Sequence, residues 1–82
     1  MVKHFEYNGE MVKVKSLGYT DYVCFAGEKR TIWETDGIYS VEFNGKTFNA
    51  WRHFVYLDGE WYEITRDDNF GYVLGSNLDN WF

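Results

Sequence analysis

Short runs in which apolar residues alternate with polar ones, rich in Val, Ile, Thr, Tyr, Phe and Trp, are separated by Asn8-Gly9, Asp36-Gly37, Asn44-Gly45 and Asp58-Gly59. No proline interrupts them. Asn-Gly and Asp-Gly pairs accept the positive φ angles of type I′ turns, whose twist suits the strands they join, so the chain reads as successive β-hairpins. The pattern predicts strands over 3–7, 10–16, 21–26, 29–35, 38–43, 46–57, 60–65 and 71–75. No window repeats apolar residues at helical spacing. A short helical turn over 76–81, with Ser76 or Asn77 as its N-cap, is the one helical expectation.

Turn geometry also predicts which residues share a face. A two-residue Asn44-Gly45 loop sets Val41 opposite Phe48 and Tyr39 opposite Ala50. An Asp36-Gly37 loop sets Val41 opposite Ile32, and a Gly27-Glu28 loop sets Ile32 opposite Val23. Together these group Val23, Phe25, Ile32, Tyr39, Val41, Phe43, Phe48 and Ala50 on one apolar surface. The other face carries Thr31, Thr35, Ser40, Glu42 and Asn49, although Cys24, Trp33 and Ile38 fall there too. The Asp58-Gly59 hairpin groups Val55 with Tyr62 and His53 with Ile64, which reverses the parity set by Phe48 and Ala50. A bulge or bend between Ala50 and His53, letting one long strand serve two sheets, resolves the conflict. The first hairpin adds Phe5, Val12 and Val14 to the interior.

These registers describe an all-β domain over residues 1–82: a strongly bent antiparallel meander sheet or small barrel of six to eight strands, with a short C-terminal helical turn. The general shape resembles SH3-like barrels in architecture alone, and architecture does not fix function. Eighteen of the 82 residues are Trp, Tyr or Phe, more than the core of so small a domain needs. The excess must cover barrel ends or form binding surface. Leu78, Trp81 and Phe82 invite both uses, as a plug for an open end or an anchor in a partner.

Charge narrows the partners. Lys and Arg number 8 against 13 Asp and Glu, a net charge of −5, and the excess of acid lies in the C-terminal half. Phosphate-backbone binding draws on Lys and Arg displacing counterions, so direct nucleic-acid binding is disfavoured and a basic partner favoured. Cys24, the single cysteine, can form no internal disulfide. With no apolar run long enough for an export signal or a membrane span, a reducing cytoplasm is the expected location.

Candidate chemistry is sparse. Cys24 and His53 could suggest thiol chemistry, but nothing nearby supplies a lowered thiol pKa, and a packed or half-buried thiol is the expectation. Asp67-Asp68-Asn69 lacks the ligand alternation and distal Glu of a calcium loop and reads as a solvated turn. Glu60 and Glu63 fall on opposite strand faces, which speaks against a glycosidase-type pair. No enzyme activity, cofactor or metal is called for.

The pattern instead singles out a surface. In the Asp58-Gly59 hairpin, the face turned from Val55 and Ile64 carries Phe54, Tyr56 and Trp61, with Arg52 and Glu63 at its edge and Asp58, Glu60, Asp67 and Asp68 around it. An aromatic centre with an acidic rim suits a protein interface. The competing reading is that Phe54 and Trp61 close a second small core beneath the C-terminal segment. The expectation is therefore a non-enzymatic acidic protein-binding module. Its compactness, acidity and lack of catalytic groups resemble in type the phage anti-defence inhibitors, anti-CRISPR proteins among them, and immunity proteins, which implies occlusion of a basic, nucleic-acid-binding surface on a larger protein. The alternative is an aromatic platform for a carbohydrate or other planar small ligand, with Arg52, Glu63 and Asn49 as its polar groups. A homo-oligomer formed through an uncovered strand edge fits either function.

Overall fold

The computed structural model describes residues 1–37 and 39–75, and of residues 39, 41–43, 48 and 50 the backbone alone. The expected helical turn over 76–81 and the terminal Leu78, Trp81 and Phe82 lie outside the described residues. The strands are β1 (Val2–Tyr7), β2 (Glu10–Val23), β3 (Glu28–Thr35), β4 (Tyr39–Phe43), β5 (Lys46–Ala50), β6 (His53–Leu57), β7 (Glu60–Asp67) and β8 (Gly71–Leu74). Among the described residues the one helical element is a 3-10 turn, Cys24–Ala26. Six strands form one sheet in the order β1-β2-β3-β6-β7-β8, and β4-β5 form a separate two-stranded sheet.

Three hairpins follow from their turns. Asn8, Asn44 and Asp58 all adopt left-handed φ near 50°, each followed by a positive-φ glycine, as type I′ loops require. Phe5 consequently lies opposite Val12, Val41 opposite Phe48, Val55 opposite Tyr62 and His53 opposite Ile64. The expected reversal of parity after Ala50 is a break at residues 51–52, and the two segments, β5 and β6, belong to different sheets.

The other two expected turns differ. Among the described residues β3 and β4 do not pair across Asp36-Gly37, so Val41 does not lie opposite Ile32. The edge of β3 pairs with β6 instead, with Trp33 opposite Phe54 and Glu34 opposite His53. The Thr35 N–H donates to the Arg52 carbonyl at 2.9 Å at the end of this ladder. A meander would have left the apolar strand β6 without this neighbour; the longer-range pairing buries Phe54, Val55 and Leu57. Between β2 and β3 the chain turns through the 3-10 segment, ending at Gly27 in the left-handed region, so Val23 faces Glu28 rather than Ile32. That register differs from the expected one by an even number of residues, and Val23 and Ile32 therefore still share a face. Phe25 does not join them. It sits on the 3-10 turn, 39% exposed, with its ring edge on Tyr62. Cys24 on the same turn is exposed, not packed or half-buried.

Hydrogen bonding closes into a ring without making a regular barrel. The end of β2 meets β8 in a parallel bridge, Val23 to Tyr72, while β1 pairs with the first half of β2 on that same edge, opposite β3, and stays outside the ring. Inside the ring sits the main core of Val23, Ile32, Val55, Leu57, Ile64 and Tyr72, with Leu17, Ala26 and Tyr62 packed against it. Gly71 permits the closure: its φ is +79°, and a Cβ there would stand 2.8 Å from the Tyr22 carbonyl oxygen.

A second core occupies the opposite face. Val12, Val14 and Phe54 are fully buried there, with Phe5, Tyr7, Trp33 and Trp61 around them. Strand β2 serves both cores, helped by a bulge between Ser16 and Thr20 at which residues 17–19 oppose the single residue Ile32. Phe5 of β1 stacks on Trp61 of β7 at 4.3 Å between ring centroids, although three strands lie between them in the bonded order. The sheet must therefore curl until its first hairpin covers the face of β6 and β7.

Candidate functional site

This curl decides the fate of the aromatic face expected at the Asp58-Gly59 hairpin. Alternation along β6 and β7 does put Phe54, Tyr56, Trp61 and Glu63 on one side, with Tyr56 opposite Trp61 and Phe54 opposite Glu63. Most of that side is covered. Phe54 is fully buried, with the rings of Phe5 and Tyr7 each 5.1 Å away in edge-on contact. Burying such a side chain stabilises the fold by up to roughly 3 kcal/mol, so the hairpin displaces water from this face. The second core thus exists, but its cover is the β1-β2 hairpin, where the sequence suggested the C-terminal segment.

Arg52 and Glu63 seal one end of this core. The Arg52 Nε and Nη2 groups donate to the two Glu63 carboxylate oxygens, each at 2.9 Å, and Nη1 donates to Glu10 at 2.6 Å. Only 8% of Arg52 and 7% of Glu63 remain exposed. The guanidinium also lies 5.3 Å from the centre of the Phe54 ring. Its hydrogen bonds to Glu63 raise an already high pKa against the opposing effect of burial, so Arg52 is a fixed cation. The fork geometry uses both carboxylate oxygens, which leaves this pair a structural clamp and not a ligand-facing group.

The opposite end, towards the β6-β7 turn, stays open. A groove of about 320 Å³ is lined there by Lys3, His4, Trp33, Tyr56 and Trp61. Trp33 meets Trp61 edge-on at 5.5 Å, and Tyr56 is tilted against Trp61 at 5.1 Å. Tyr56 is 50% exposed, while Trp33 and Trp61 are half-buried. The register explains the assembly, because Lys3, Phe5 and Tyr7 point to the same side of β1 as Val12 and Val14 do on β2.

The acidic residues do not form one rim around the aromatics. Asp58 and Glu60 stand exposed at the β6-β7 turn beside Tyr56, and Glu60 accepts a hydrogen bond from the Tyr62 hydroxyl at 3.0 Å, which pushes the Tyr62 phenol up. Asp67 and Asp68 lie at the far end of β7, roughly 20 Å away along an extended strand. There the Asp67 carboxylate accepts the backbone N–H groups of Asn69 and Phe70 at 2.8 and 3.1 Å, fixing the β7-β8 turn. On the other side of the β6-β7 turn, Phe25, Ala26, Arg30, Leu57, Asp58 and Tyr62 line a second groove.

Elsewhere His53 contacts a Glu34 carboxylate oxygen at 3.1 Å across the β3-β6 ladder. Among the described residues, no group of three or more His, Cys, Asp or Glu side chains is arranged to hold a metal ion. No helix among them is long and apolar enough to cross a membrane. Sequence reasoning missed Lys3, His4 and Trp33 as neighbours of Tyr56 and Trp61. The available signal was Trp33, a large aromatic on the face otherwise assigned to water. Comparison with protein-family models, curated proteins and solved structures finds no match for this chain.

Proposed function

We propose that the chain is a non-enzymatic, acidic protein-binding module that docks through the β6-β7 turn onto a basic surface of a larger protein and occludes it, as inhibitors of the phage anti-defence or immunity-protein type do. The observation that carries this reading is Tyr56. It stands half exposed on a strand in which Phe54, Val55 and Leu57 are buried, with Asp58 and Glu60 in the adjoining turn. Aromatic anchors with neighbouring carboxylates supply desolvated contact area together with steering towards Arg and Lys. Phe25, 39% exposed over the neighbouring groove, extends the apolar contact. The net charge of −5 adds a long-range attraction to basic partners.

The docking face under this reading is narrower than the sequence suggested. Tyr56, Asp58, Glu60 and the exposed part of Trp61 remain available, whereas Phe54, Arg52 and Glu63 are committed to the interior, and Asp67 and Asp68 lie outside the footprint. The test is affinity capture with the wild-type chain, Tyr56→Ala and Asp58→Lys/Glu60→Lys. A basic protein retained by the wild type and lost with both variants, while their thermal melts stay within a few degrees of the parent, supports the reading. Retention that is indifferent to these side chains refutes it.

A further inference from the structure

The groove at the open end of the second core carries a charge pattern at odds with the rest of the chain. The protein has five more carboxylates than Lys and Arg side chains, yet among the described residues that line this groove there is no carboxylate, and the charged side chain on its face of β1 is Lys3, His4 pointing to the other side of the strand. The remaining walls are the rings of Trp33, Tyr56 and Trp61. At about 320 Å³ the groove lies at the small end of the roughly 300–1,000 Å³ found for small-molecule sites. Mouths of curled sheets with apolar walls and a few polar groups at one side are common ligand sites.

We infer that this groove binds a small planar anion, a molecule of one or two fused rings bearing a carboxylate or similar acidic group. The rings lie against Tyr56 and the Trp33-Trp61 pair, while the Lys3 ammonium, on the same side of β1 as Phe5, takes the negative charge. Aromatic faces favour flat apolar ligands by stacking and area burial. A cation is disfavoured because Lys3 would repel it, and a neutral sugar would leave the ammonium without a charged partner. The proposal revises the polar groups expected for a planar ligand: Arg52 and Glu63 are engaged with each other, and Lys3 takes their place. It is independent of protein docking at the β6-β7 turn, although both use Tyr56.

Binding can be followed by the indole N–H signals of Trp33 and Trp61 in two-dimensional NMR spectra, with Trp51, outside the groove, as the reference. The probes are 2-naphthoate, 2-naphthamide and 2-naphthylmethylammonium, which share a ring system and differ in charge. The expected result is a saturable shift of Trp33 and Trp61 with naphthoate, with the amide and the ammonium at least about fivefold weaker, the size of one screened ion pair. Lys3→Glu should abolish that preference, whereas His4→Ala, on the other side of β1, should leave it; both side chains are exposed, so the fold should persist. Asp58→Lys/Glu60→Lys should abolish protein capture without weakening naphthoate binding, since it replaces carboxylates near the groove by cations, which separates the two readings. Equal affinity for the three probes, no saturable shift with naphthoate, or shifts as large at Trp51 as at Trp33 would overturn the inference.

Discussion

Replacing Glu63 by alanine tests whether the second core is a sealed structural unit. The change leaves the Arg52 guanidinium, with 10% of its side chain exposed, facing the cavity once filled by a carboxylate that accepted two of its hydrogen bonds. Removing one member of a buried pair costs about 3–5 kcal/mol, mostly through the uncompensated charge. Glu10 keeps its bond to Nη1, and its side chain is 51% exposed, so water can reach the guanidinium from that side. The expected cost is therefore at the low end, about 3 kcal/mol. Glu10→Ala removes only the half-solvated partner and should cost less than about 1 kcal/mol. For 82 residues the whole stability is roughly 4–12 kcal/mol. At about 4–8 °C per kcal/mol in a domain this small, Glu63→Ala should lower the melting temperature by about 12–24 °C. Replacing both partners by apolar residues, Arg52→Met/Glu63→Leu, should recover most of the loss, since no charge is then left buried. Urea unfolding followed by tryptophan fluorescence gives the three free energies. If Glu63→Ala costs no more than Glu10→Ala, the pair is solvated and the sealed end does not exist.

Two further outcomes follow from the ring closure. Gly71→Ala should destabilise by more than about 2 kcal/mol in urea unfolding, because left-handed φ alone costs an L-residue roughly 1–2 kcal/mol and the Cβ also meets the Tyr22 carbonyl; Gly9→Ala, with φ +80° but open space, should show the backbone part alone. Burial, and then the Tyr19 hydroxyl at 3.5 Å, raise the Tyr72 phenol above its ordinary 10.0. Above pH 10 the unfolded chain loses this proton while the folded protein keeps it, so stability is intact below pH 10 and falls as pH climbs further; Tyr72→Phe should flatten that alkaline decline, measured as melting temperature between pH 9 and 11.

Alternation and turns made much of this fold legible. Asn8-Gly9, Asn44-Gly45 and Asp58-Gly59 set their hairpins to the residue, and Val23 and Ile32 shared a face even though the connection between their strands was longer than expected. The same reasoning misread Asp36-Gly37, because a turn signal states that a hairpin can form and not that it outcompetes another neighbour. Phe54 shows the corresponding limit at the site. Its facing was correct and its exposure was not, since the residues that cover it, Phe5 and Tyr7, lie far away in sequence.

The amino-acid sequence alone determined the all-β character, the two-residue turns and the side of the strand to which each hairpin residue points. These follow from short-range sterics, positive φ at Asn, Asp and Gly, and the period of two along a strand. Tertiary structure decided that β3 lies beside β6, that β1 and β2 curl over Phe54, and that Val23 meets Tyr72 to close the ring. It thereby turned Arg52 and Glu63 from surface groups into a buried clamp and left Tyr56 outside. Those outcomes depend on which distant apolar faces exclude the most water when brought together, a competition among long-range pairings that alternation along a single strand cannot rank.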